Sequence, residues 1–138
     1  MAFEYIKSTS GHEPLMVDYL SGAALAKNVA VGLQGGKLVL ATAATTGAIS
    51  VIGVTQKAST AADQVIPVVL AGPSDIFLTT GSGTCTKGVC YDTDATGLML
   101  QHNDVTNPKF KVLDTVVIGS TTYYKVVNIS FDLAGSTA

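Results

Sequence analysis

Two histidines, His12 and His102, and two cysteines, Cys85 and Cys90, are the side chains of this 138-residue chain best suited to nucleophilic or metal chemistry. Their spacing supports little of either. Neither histidine lies in an H-E-x-x-H motif or a paired-histidine spacing, so a zinc centre is not indicated. Thr86 to Val89 separate the two cysteines, a wider gap than metal pairs usually leave, and there is no second pair. A disulfide across a tight turn is geometrically open to them, whereas a cytoplasmic product favours free thiols. A thiol nucleophile, Cys85 or Cys90 with His102, needs a basic neighbour in space, which spacing does not specify.

The remaining motifs are weaker. Asp92-x-Asp94-x-x-Gly97 opens like a calcium loop, but Thr96 and Asn103 stand where further ligands belong. A polar hairpin turn with Asx-type hydrogen bonds is the better reading. There is no G-x-S-x-G, and Gly36-Lys37 runs into Leu38 without the upstream glycine of a phosphate loop. The expectation is therefore no enzyme, no metal and no cofactor, with function carried by surfaces.

Composition narrows the partners. Charged residues make up 13% of the chain, against about 25% in an ordinary soluble domain. Either the surface is rich in Ser, Thr, Ala and Gly, or partners cover part of it. The eight basic residues are all lysines, scattered from Lys7 to Lys125. Without arginine there is no bidentate fork for phosphate or guanine, and without a basic stripe no nucleic-acid partner is expected. The longest apolar run, Val65 to Ala71, is far short of the ~20 residues of a membrane helix. No secretory signal is visible in Met1 to Asp18, so synthesis in the cytoplasm is expected, with later release in a particle or by lysis.

Short β-branched runs bounded by Gly, Pro, Ser and Asp predict strands and one all-β domain. Residues 1–14 read as an extended arm or a loose terminus. Phe3 and Tyr5 alternating with Glu4 favour an arm that docks on something. Residues 15–138 read as a single domain with extra C-terminal hairpins. Its expected strands are Leu15 to Leu20, Val29 to Leu33, Leu38 to Leu40 after a Gly35-Gly36 turn, Ile49 to Thr55, Val65 to Ala71, and a run starting at Ile76. Val89 to Tyr91, Leu98 to Leu100, Phe110 to Ile118 and Tyr123 to Leu133 follow, and Gly135 to Ala138 should fray.

The stretch from Ala48 to Thr79 reads as a central antiparallel meander, entered through a small-residue link from Ala41 to Gly47. Gly53 beside a phase change suggests a bulge or bend. Pro67, lacking a ladder donor, suggests an edge strand or a bulge. Val65, Val69 and Ala71 face one way and Ile66, Val68 and Leu70 the other. Cover on both faces is implied, by a barrel wall or a subunit interface, and Val65, Ile66, Pro67, Val68 and Leu70 are the interface candidates. The expected architecture is a small antiparallel barrel or a curled, β-tulip-like sandwich with an extended N-terminal arm.

An internal echo also runs through the chain. Lys27, Val29, Leu38 and Leu40 recur as Lys87, Val89, Leu98 and Leu100. Two related hairpins would produce this, and so would chance in a chain rich in Val and Leu.

The run G-G-K-L-V-L-A-T-A-A-T-T-G-A-I-S-V-I-G-V (Gly35 to Val54), followed by V-I-P-V-V-L-A-G (Val65 to Gly72), resembles the head decoration proteins of tailed bacteriophages, of the lambda type. The resemblance covers roughly residues 1 to 80, and Thr84 to Ala138 is longer than that type requires. It implies a structural virion protein that binds the outer capsid surface as a homotrimer and cements neighbouring capsomers around packaged DNA. Its partners would be the major capsid protein and itself, with neither nucleic acid nor membrane. The arm residues Phe3, Glu4, Tyr5, Ile6, Lys7 and Pro14 would add a strand to the capsid protein, a main-chain mode of recognition. A second reading is a head-fibre or tail adhesin module, binding a host ligand through Asp92 to Gly97 or Gln101 to Pro108.

Overall fold

The computed structural model describes residues 3–41 and 49–132. The small-residue link and the fraying tail lie largely outside them. Among the described residues ten strands form: β1 (Glu4–Ser8), β2 (Met16–Leu20), β3 (Ala30–Gln34), β4 (Lys37–Leu40), β5 (Gly53–Thr55), β6 (Val65–Leu70), β7 (Asp75–Thr79), β8 (Cys90–Tyr91), β9 (Phe110–Ile118) and β10 (Thr121–Asn128). They make two antiparallel sheets, ordered β1-β7-β10-β9-β8 and β2-β6-β5-β3-β4.

The all-β expectation holds, but the barrel or curled sandwich does not. Both sheets are open: among the described residues no ladder joins β1 to β8 or β2 to β4. Single bridges, Ser21 to Leu38 and Gly81 to Leu100, touch without extending. After β2 and after β7 the chain leaves the sheet as a loop. A side chain of each loop, Leu25 or Cys85, is buried in an apolar cluster.

The central meander is also corrected. β5 pairs with β6, but β7 crosses to the other sheet. The Gly72 amide donates to Asp75 Oδ2 at 2.9 Å and the Asp75 amide to the Gly72 carbonyl at 3.1 Å, a turn that redirects the chain. Pro67 is not on an edge, because β6 lies between β2 and β5. The Gln56 amide donates to the Pro67 carbonyl at 2.9 Å, and the return bond would need the N–H that proline lacks. That position falls just past the end of β5, where the ladder stops. At Gly53 the cause is close approach: a Cβ there would sit 2.2 Å from the Val69 carbonyl oxygen.

Two apolar clusters explain the two-faced β6. Ile66 and Val68 join Leu25, Val29, Val31, Leu38 and Ile52 in one. Val69 and Ala71 join Phe3, Phe77, Phe110, Val112, Tyr124 and Val126 in the other, which both sheets share. The chain's own residues supply the cover on both faces.

The echo in the sequence is a duplication of structure. β2-β6-β5-β3 and β7-β10-β9-β8 have the same strand order, and their registers superpose pair by pair. Val17–Val68 corresponds to Phe77–Val126, Val54–Val69 to Lys111–Val127, and Val31–Gly53 to Tyr91–Phe110. The loops agree as well. The Gly22 amide donates to the Leu38 carbonyl at 2.8 Å, and the Ser82 amide to that of Leu100 at 2.9 Å. Leu38 therefore matches Leu100 and not Leu98, because the second half has a longer turn. Beside β7 the second half carries one extra strand, β1.

Candidate functional site

β2 is one edge of its sheet, opposite β4. In an antiparallel pair, alternate residues point their backbone groups at the neighbour. Leu70 N donates to Leu15 O and Ser21 N to Gln64 O, both at 2.8 Å. Leu15, Val17, Tyr19 and Ser21 thus bond towards β6, and the N–H and C=O of Met16, Asp18 and Leu20 face outward. Among the described residues no strand takes them up. Leu15, Met16, Val17 and Leu20 are exposed, as is Val65 on the neighbouring strand. Edge strands are ordinarily protected by charge, proline or a bulge. β2 has Asp18 alone.

The β1 edge is built differently. It carries Glu4 and Lys7, and its register shifts between Tyr5 and Lys7. Its side chains hold it to its own domain. Phe3 is fully buried and stacks on Phe110 with ring centroids 4.7 Å apart, and Tyr5 meets Phe77 edge-on at 5.5 Å. Of the arm residues, then, Phe3 lies in the shared core, Tyr5 packs against it, and Glu4, Ile6, Lys7 and Pro14 are exposed. Partial burial, then the carboxylates of Asp75 and Glu13, push the Tyr5 phenol above its usual pKa. Among the interface candidates, Ile66 and Val68 are buried within the chain, Pro67 and Leu70 are half-buried, and Val65 is exposed.

The residues singled out for chemistry are separated or tied into the scaffold. Cys85 is buried, and burial pushes its thiol up to about 11, far from a reactive thiolate near neutral pH. Cys90 is half-buried, and both cysteines are free. His102 contacts Ser82, with Nδ1 and Oγ 2.8 Å apart, and its amide also donates to that oxygen at 3.0 Å. This clips the 101–104 loop to the loop after β7. A Cβ at Gly83 would lie 2.7 Å from the His102 ring, so the clip depends on that glycine.

Asp92 is buried against Lys109, and its Oδ1 accepts from the Thr93 amide at 2.8 Å. Asp94 accepts from Thr96 Oγ1 at 2.7 Å in an Asx-type turn. The calcium-like pattern is thus divided between a buried ion pair and a turn. Among the described residues no three His, Cys, Asp or Glu side chains come together as metal ligands do.

The β2 edge and the Asp92–Lys109 pair both escaped the sequence reading. The run Leu15-Met16-Val17 signals a strand, but which edge it occupies depends on distant pairing. Charges more than a dozen positions apart carry no sign that they will be buried together. Comparison with known proteins returns no matching family model, no matching curated protein and no matching solved structure.

Proposed function

We propose that this chain is a structural virion protein that attaches to the outer surface of a capsid and cements neighbouring capsomers. One observation carries the reading: the exposed apolar side chains of Leu15, Met16, Val17 and Leu20 gather along an edge strand that no strand covers among the described residues. A bare edge binds through main-chain hydrogen bonds, with flanking apolar side chains adding specificity. Repetition over a capsid surface multiplies such contacts by avidity. The capsid as partner comes from the resemblance of Gly35 to Val54 and Val65 to Gly72 to phage decoration proteins. The same resemblance implies an arm that docks on the capsid. With Phe3 in the core, the docked arm would offer Glu4, Ile6, Lys7, Pro14 and the outer backbone of β1.

The test uses capsids assembled from the major capsid protein encoded nearest this chain's gene. Saturable binding to expanded capsids, which then disassemble at a higher temperature, is expected. Absence of binding to expanded capsids overturns the proposal. Adsorption to host cells in its place supports an adhesin. The exposed Val117 and Ile118 at the end of β9, beside the β9–β10 turn, would suit that second reading.

A further inference from the structure

The chain passes between its two sheets twice, and both crossings meet at one place. Residues 9–15 lead from β1 to β2, and the Gly72–Asp75 turn leads from β6 to β7. The Thr9 amide donates to the Ser74 carbonyl at 2.8 Å, and Ser8 lies opposite Asp75 in the β1–β7 ladder. His12 adds a side-chain contact, with Nε2 3.3 Å from Asp75 Oδ1. Asp75 is buried. Its Oδ2 accepts from the Gly72 amide, but Oδ1 has no hydrogen bond among the described residues. The other ring nitrogen of His12, Nδ1, lies 2.7 Å from the Glu13 carbonyl oxygen.

Both neighbours of the ring are acceptors. A carbonyl and a carboxylate oxygen only receive hydrogen bonds, and only the protonated imidazole carries an N–H on each nitrogen. A neutral ring has one N–H for two acceptors, so one contact fails whichever nitrogen keeps it. We propose that a proton held between His12 and Asp75 latches residues 9–14 onto the Gly72–Asp75 turn, and that its loss on raising the pH loosens them. Imidazole is the side chain whose ordinary titration falls between pH 5 and 8. Tyr5 and Lys7 of β1 line the same hollow as His12, as does Glu13 beside it in the chain. Lys7 and Glu13 are exposed and opposite in sign, and Tyr5, whose phenol is held above its usual pKa, stays neutral throughout. Among these groups only Asp75 brings a buried charge to the ring. Phe3 and Tyr5 pack β1 against the core in either state, so the loosening is confined to the connection.

The inference holds whether or not the chain binds a capsid. Hydrogen exchange of the full chain, followed by NMR, reads the latch at the Thr9 and Gly11 amides, which donate to Ser74 O and Ser8 O. The ring signals of His12 report its titration. With rates compared at each pH to those of an unstructured chain, protection of the two amides should fall about tenfold between pH 5 and pH 8, as expected for one charge-assisted hydrogen bond. The fall should follow the His12 titration, and His12→Gln should abolish it. Asp75→Asn should reverse it. The amide nitrogen in place of Oδ1 donates to the unprotonated Nε2 while Nδ1 keeps its bond to Glu13, so that latch closes at high pH. A fall that survives His12→Gln, protection that stays level while His12 titrates, or a folded Asp75→Asn chain with the parent's pH response would each overturn the inference. Should Asp75→Asn not fold, the comparison of the parent with His12→Gln decides alone.

Discussion

Asn28 and Gly88 occupy the same place in the two halves of the duplication. Both have positive φ, 62° and 85°, and each amide donates at 2.8 Å, to Thr55 O and Val112 O respectively. The backbone thus repeats a left-handed step at the entrance to β3 and β8, and each half meets it with a residue that tolerates it.

Exchange at these positions should follow backbone strain. Asn28→Gly and Gly88→Asn should change stability little. Gly88→Val should lower it by about 1–2 kcal/mol, although a Cβ there would meet nothing within 4 Å. Urea unfolding of the three variants checks this. A Gly88→Val chain as stable as the parent would refute it.

Phe3 ties the N-terminal strand to the domain. Phe3→Ala should cost about 3–5 kcal/mol, as expected for a fully buried aromatic. Limited proteolysis should then cut within β1 before the rest of the fold opens. Chemical denaturation and mass mapping of the cleavage sites provide the measurement.

Burial of Cys85 makes stability depend on alkaline pH. Below pH 9 the thiol is protonated in both the folded and unfolded chain, and no effect is felt. Between 9 and about 11 the unfolded chain releases the proton and the folded chain keeps it, so stability falls. Above that the loss levels off at roughly 3 kcal/mol. The difference between the parent and Cys85→Ala across pH 8 to 11 isolates this group from the other titrating side chains.

The Asp92–Lys109 pair should behave as a buried ion pair. Asp92→Asn alone should destabilise by about 3–5 kcal/mol, since it leaves a buried ammonium without its counter-charge. Asp92→Leu with Lys109→Met should recover most of that. The shortfall, about 1 kcal/mol or more, reflects the Thr93 amide, which loses its acceptor. Thermal unfolding of the parent, Asp92→Asn and the double variant provides the measurement.

Local pattern carried most of the strands. Phe110 to Ile118 forms β9 as read, Gly35 and Gly36 turn the β3–β4 hairpin with positive φ, and the alternation of Ile66 and Val68 against Val69 and Ala71 separates into two clusters. These features depend on neighbours a few positions away, and side-chain period and glycine placement encode them. Ile49 to Val51 reads as strand but lies outside one, because burial in the shared core satisfies those side chains without a ladder.

What tertiary structure alone settled is which strand lies beside which. Pro67 is compatible with an interior strand because its missing donor falls where β5 has already ended. Gly72 to Asp75 sends β7 to the other sheet, which turns an apparent meander into two repeated halves. The echo of Lys27 and Val29 in Lys87 and Val89 was legible. That it marks a duplication, with β1 beside β7 and nothing equivalent beside β2 among the described residues, was not, because register is set by pairs distant along the chain. The exposed β2 edge, on which the functional reading now rests, follows from that mismatch: an apolar strand declares its sides in its sequence, but only its neighbours decide which side stays open.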